Sequence, residues 1–202
     1  MSATALLQYR GFPIVWNLES RQLASERRST VTGVTRVDPP LVNAERASLF
    51  AWLDYHRETL GMKCEELTAN ELCLRSVPPS TMSLVGLVRH MAEVERHWFQ
   101  QVLSGLGDDV AGPIFYERVT NPDGDFDDVD PATVEEDIAT WRREIAAADV
   151  VIAGLELDDR RSAGDRGELD VRWVLTHMIE EYARHNGHAD LLREAIDGTT
   201  GD

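Results

Sequence analysis

Glu181 and His185 stand four residues apart in the run His177-Met-Ile-Glu-Glu-Tyr-Ala-Arg-His-Asn-Gly-His188. On an α-helix that interval places two side chains one above the other on the same face. Both can ligate a metal ion, one through a carboxylate oxygen and the other through a neutral ring nitrogen. At about 100° per residue, Val174, Met178, Leu192 and Ile196 define an apolar stripe, and the pair is expected in the middle of it. An unpaired carboxylate there is costly, and a divalent metal would offset that cost. His177 and His188 fall at one edge of the stripe.

Two ligands from one helix do not complete a site. A second helix offers His90 and His97, seven residues apart on one side, and a first helix offers His56 on the Leu49–Leu53–Leu60 side. Spacing leaves all three open. A histidine on an apolar face is more often a hydrogen-bonded core residue than a ligand, and for His56 and His97 that reading is preferred.

The elements that must position these residues read as helices. Asn43 caps the first, with Leu49, Trp52, Leu53, His56 and Leu60 on its apolar side and Gly61 weakening its end. A turn with Cys73, Pro78 and Pro79 follows. Ser80, Thr81 or Ser83 caps the second helix, which carries Leu84, Leu87, Met91, Val94, Trp98 and Val102 and stops at Gly105 and Gly107. Residues 106–131 form a long connection. Its acidic run Asp123–Asp128 lacks the ligand order of a calcium loop and reads as a solvated loop, while Phe115, Tyr116 and Phe126 can anchor it over a pocket.

Pro131 opens a third helix through Val134, Ile138, Trp141, Ile145, Ala148 and Ile152. Asp158–Gly167 is a loop, and a fourth helix runs from near Glu168 to about Ile196. No strand pattern competes. The expectation is an all-α chain, a four-helix bundle over residues 41–198. Residues 1–40, with Gly11, Pro13, Arg27, Arg28, Gly33, Pro39 and Pro40, read as an irregular extension, partly disordered or loosely packed.

Composition excludes whole classes of function. The chain has 202 residues, a formal charge of -16 and a pI near 4.7. Nucleic acid and anionic membrane surfaces are therefore not expected partners. No apolar run reaches membrane-spanning length, and the first residues lack a secretory pattern, so a cytoplasmic location is expected. Cys64 and Cys73 form no Cys-x-x-Cys pair and read as reduced thiols with nothing local to activate them.

The segments Leu87-Val-Arg-His-Met-Ala-Glu-Val-Glu-Arg-His-Trp-Phe99 and Glu180-Glu-Tyr-Ala-Arg-His-Asn-Gly-His-Ala-Asp-Leu-Leu-Arg-Glu194 resemble the DinB-like superfamily. The branch they resemble most includes mycothiol-dependent enzymes, and the likeness covers about residues 40–197, including Trp141-Arg-Arg-Glu144. The resemblance implies an up-down-down-up bundle with a divalent metal, zinc first, with nickel, iron and manganese also compatible. It also implies one histidine ligand on the second helix and two ligands four apart on the last, which match His90, Glu181 and His185. Many relatives carry histidine where Glu181 stands, and the glutamate resembles the pattern of mycothiol-dependent maleylpyruvate isomerase.

His177, His188, His97 and Arg184 are then residues of the pocket or supports behind the ligands. The implied activity is a thiol S-transferase or thiol-dependent isomerase. The metal would hold mycothiol as a thiolate, and a small electrophile would be its target. Arg89, Arg184 and Trp98 are candidates to contact the sugar or carboxylate groups of the thiol, although the reading of each as a surface charge or a core aromatic is preferred. Two other readings use the same residues. One is a hydrolase with His177, His188 or Glu93 as base. The other is a non-catalytic metal-binding stress or interaction protein, with a homodimer formed through a helix face.

Overall fold

The computed structural model describes residues 5–9, 12–16, 36–105, 112–117, 119–164 and 167–201. The chain divides into two units, residues 1–35 and 36–202. In the first, β1 (Ala5–Tyr9) pairs antiparallel with β2 (Phe12–Trp16), with Leu7 opposite Ile14. A regular ladder therefore occupies part of the stretch expected to be irregular. Arg27, Arg28 and Gly33 lie outside the described residues.

The second unit is mostly helical. Its elements are α1 (Glu45–Cys64), α2 (Ala69–Leu72), α3 (Leu84–Glu95), which continues as a π-helix (Arg96–Leu103), α4 (Gly124–Asp127), α5 (Val134–Ala153), β3 (Arg160–Ser162), β4 (Glu168–Asp170) and α6 (Val171–Asp197). α1 packs chiefly along α6, α3 along α5, and α3 also meets α6. Leu53, Leu60, Leu84, Leu87, Met91, Phe99, Trp141, Val174, Met178 and Tyr182 are buried in the shared core. Among the described residues no helix is long and apolar enough to cross a membrane.

Several boundaries differ from the sequence expectation, each for a local reason. Asn43 does not cap α1; Ala44 holds the N-cap position, and Asn43 Oδ1 accepts from the Ala44 N–H at 2.9 Å. Gly61 does not end α1, because it is buried within it and the helix runs on to Cys64. Of the three candidate caps, Ser83 takes the role, its hydroxyl accepting from Gly86 N–H at 3.1 Å. Pro131 precedes α5, which starts at Val134.

The expected loop at 158–167 carries β3, which pairs antiparallel with β4 just beyond it. β4 takes Glu168–Asp170 away from the last helix. Asp170 Oδ1 then accepts from Trp173 N–H at 2.7 Å and starts α6 three residues later than expected, while Gly198, at φ 81°, ends it.

One buried network ties the four long helices together. Arg57 of α1 forms a bidentate pair with Glu95 of α3, Nε and Nη2 each donating at 2.7 Å. The Tyr182 hydroxyl of α6 donates to Glu95 Oε1 at 2.8 Å, and Trp141 Nε1 of α5 donates to the Tyr182 oxygen at 2.9 Å. All four side chains are almost completely buried. Tyr182 faces the core and so fixes the rotation of α6, which sets where its neighbour Glu181 points.

Candidate metal centre

That rotation corrects one sequence expectation. The buried line of α6 runs through Val171, Val174, Leu175, Met178, Tyr182, Asn186, Ala189 and Leu192. Glu181 and His185 flank this line rather than occupy its middle, with side chains 22% and 12% exposed. The pair is thus half-shielded yet reachable, as an open metal position requires.

His90 of α3 lies across from the pair. Its ring centroid is 4.7 Å from that of His185, and one ligand atom from each of His90, Glu181 and His185 lies within 4.8 Å of the others. His185 Nε2 is 3.5 Å from Glu181 Oε2. Burial, with His90, His188 and Arg184 nearby, pushes the His185 imidazole down to about 4. It is therefore neutral at pH 7, with a lone pair to offer.

The sequence reading missed Asp125. The acidic run Asp123–Asp128 is not a solvated loop throughout, because α4 turns the Asp125 side chain inward until it is 3% exposed. Its Oδ2 lies 2.9 Å from His90 Nδ1. A carboxylate there accepts the Nδ1–H and leaves Nε2 as the ring atom with a free lone pair, the usual arrangement behind a ligating histidine. Phe126 stacks on the His90 ring at 5.6 Å, and a Cβ at Gly86 would lie 2.8 Å from the Phe126 ring. Glycine at position 86 is what lets α4 approach α3 this closely. No local motif marks Asp125; the signal available was a phenylalanine embedded in acids.

Two further α3 residues fasten the connection. Arg89 donates to the carbonyls of Gly124 (2.9 Å) and Asp125 (3.1 Å), and its charge is paired with Asp137 at 3.3 Å. Glu93 accepts from the backbone N–H groups of Ile114, Phe115 and Tyr116. Both side chains are buried and fully engaged. Arg89 is thus spent on the fold rather than on a thiol's sugar, and Glu93 is not free to act as a base.

The remaining candidates separate clearly. His177 Nε2 is 3.6 Å from Glu181 Oε1, and His188 Nδ1 is 3.3 Å from His185 Nδ1, so both stand behind ligand candidates. Arg184 pairs with Glu180 on the exposed surface and does not join the cluster. His97 hydrogen-bonds Gln101 at 2.9 Å, and His56 stacks on Trp52 at 5.9 Å; neither belongs to a potential ligand group among the described residues.

The π-helix explains why His97 turns aside. From Arg96 the chain winds by about 80° per residue instead of about 100°. This swings Trp98, rather than His97, toward α6, where Trp98 meets His177 (4.9 Å) and Trp173 (5.2 Å).

The structure also bears on the chain's own thiols. Burial pushes the Cys64 thiol up to about 12, and the Cys73 thiol is raised as well, also chiefly by burial. Neither is a ready nucleophile. Cys64 in the native protein is expected to react with iodoacetamide at pH 8 at least tenfold more slowly than in urea-unfolded protein. Mass spectrometry of the alkylated peptides checks this, and equal rates would contradict it.

This fold and site define a class: a mostly helical protein with a histidine–carboxylate cluster between two helices, of the DinB-like kind that its motifs resemble. Within it, the family model described as mycothiol-S-transferase matches residues 48–198, and the chain belongs to that family. A comparison with curated proteins found no match.

Proposed function

We propose that the protein is a divalent-metal-dependent mycothiol S-transferase, built on a four-helix bundle over residues 41–198, with His90, Glu181 and His185 as metal ligands. The observation that carries this reading is the meeting of those three ligand atoms within 4.8 Å in a chain of the mycothiol-S-transferase family. Two imidazoles and one carboxylate, partly buried, suit zinc first and also nickel, iron or manganese. Three protein ligands leave a position open for substrate. When bound, the ion supplies a lowered pKa to a coordinated thiol, so that the thiolate exists at neutral pH.

The chain's own residues supply the rest. Asp125 holds the His90 proton on Nδ1 and fixes the ring's direction. Burial keeps His185 neutral. His177, whose Nε2 is 3.6 Å from Glu181 Oε1, is the base that this reading assigns to the thiol proton. The sulfur then forms a bond to an electrophilic carbon as the leaving group departs with its electron pair.

The test is elemental analysis of the purified protein together with a conjugation assay using mycothiol and monochlorobimane. One metal per chain and an adduct that requires both metal and thiol are expected. Turnover of ester or amide substrates without any thiol would favour a hydrolase, and protein without bound metal that still forms the adduct would overturn the metal assignment.

Asp125 gives a graded prediction. Asp125→Ala should weaken metal affinity by about 10–100-fold, read by competition with a chelator. Asp125→Asn should weaken it less, because its amide oxygen can still accept from Nδ1–H. Equal affinity in wild type and Asp125→Ala would show that the Asp125–His90 contact does not support the site.

A further inference from the structure

A cleft of about 600 Å³, lined by Trp98, Trp173, Leu169, Arg160, Glu168 and Asp170, lies one side chain, His177, away from the proposed centre. It is contiguous with the metal cluster through side chains. Trp98 and Trp173 both contact His177, the Trp173–His177 pair stacking at 5.0 Å, and His177 in turn reaches Glu181. Along α6, Trp173 precedes Glu181 by eight residues, about 12 Å of helix. A ligand that fills the cleft while presenting sulfur to His90, Glu181 and His185 must therefore be long.

The lining also limits its chemistry. The wall is aromatic, with Trp98 buried and Trp173 47% exposed. The rim is charged and open, since Arg160 and Glu168 form an exposed pair at 3.5 Å. A flat apolar electrophile would favour an enclosed slot, and an anion would meet two carboxylates. A neutral polyol suits both parts. Its ring C–H groups can lie on the electron-rich indole faces, and its hydroxyls can donate to Glu168 and accept from Arg160.

We propose that this cleft binds the glucosaminyl-inositol end of mycothiol, while the thiol end reaches the three metal-ligand candidates; this rests on the S-transferase reading above. The Trp173 face is the main recognition element, and β3–β4 supplies the polar rim.

The probe is N-acetylglucosaminyl-inositol, the neutral part of mycothiol without its cysteine, titrated by NMR into the full chain as purified. Wild type should bind it, and Trp173→Ala should bind at least tenfold more weakly with an unchanged far-ultraviolet spectrum. Should Trp173→Ala fail to fold, Glu168→Gln and Trp173→Phe provide the same comparison, each expected to weaken binding severalfold. No binding to wild type, or equal binding to wild type and all variants, overturns the proposal. So does competition in which monochlorobimane, rather than mycothiol, displaces the probe. Metal content measured on the same preparations keeps the outcomes apart: the cleft assignment can fail while the metal centre stands, and the reverse.

Discussion

Alanine at Glu95 is expected to lower the unfolding free energy by about 3–5 kcal/mol, because it leaves the Arg57 guanidinium buried without its partner. Arg57 and Glu95 are 2% and 0% exposed, and Arg57 keeps only the partly exposed Asp149 and Asp54 as other carboxylate contacts. The loss spreads beyond the ion pair, since the Tyr182 hydroxyl also loses its acceptor. Urea denaturation at pH 7 measures the change as a lower midpoint with an unaltered slope. The double variant Arg57→Met with Glu95→Leu should recover most of the loss, because it removes both charges at similar volume. A single-variant loss below about 1 kcal/mol, the range of an exposed pair, would mean that water reaches this network.

His185→Ala is expected to lose stoichiometric metal altogether, with thiol conjugation falling by more than the roughly 10–100-fold that loss of a supporting residue causes. The imidazole is the more buried member of the Glu181–His185 pair, and its low pKa leaves it neutral and ready to ligate. No nearby side chain substitutes well. His188 is three residues on and faces His185 through Nδ1, while His177 leans on Glu181 from the other side. His177→Ala is the informative comparison, because it should keep its metal yet turn over more slowly. Elemental analysis and conjugation rates on both variants read the result. Full metal occupancy in His185→Ala would remove that histidine from the ligand set.

What the sequence made legible follows from where each signal is stored. The long helices repeat apolar residues at the helical period, so Leu84–Leu87–Met91 and Val174–Met178 mark their faces without any tertiary knowledge. Glu181 and His185 were legible for the same reason, their interval being a property of one helix. Asp125 was not, since it is held by Arg89 and His90 of α3, and a run of aspartates looks solvated until those contacts exist. The turn of His97 away from the site depends on a π-helix that no residue in Arg96–Leu103 announces. β3 and β4 are three residues each, too short and too polar for an alternation to register. Nothing in the sequence pairs Arg57 with Glu95, because an ion pair between two helices leaves no local trace.

The two buried fasteners on α3 have a consequence for how such a protein can diversify. Glu93 and Arg89 clamp the long connection at two points, near Phe115 and near Asp125, on the same helix that presents His90. Substitutions in the connection away from those points leave the clamps, and with them the histidine, in place. That stretch can then change in sequence without turning the His90 ring, because what holds the ring is fastened from α3 and not from the length of the connection.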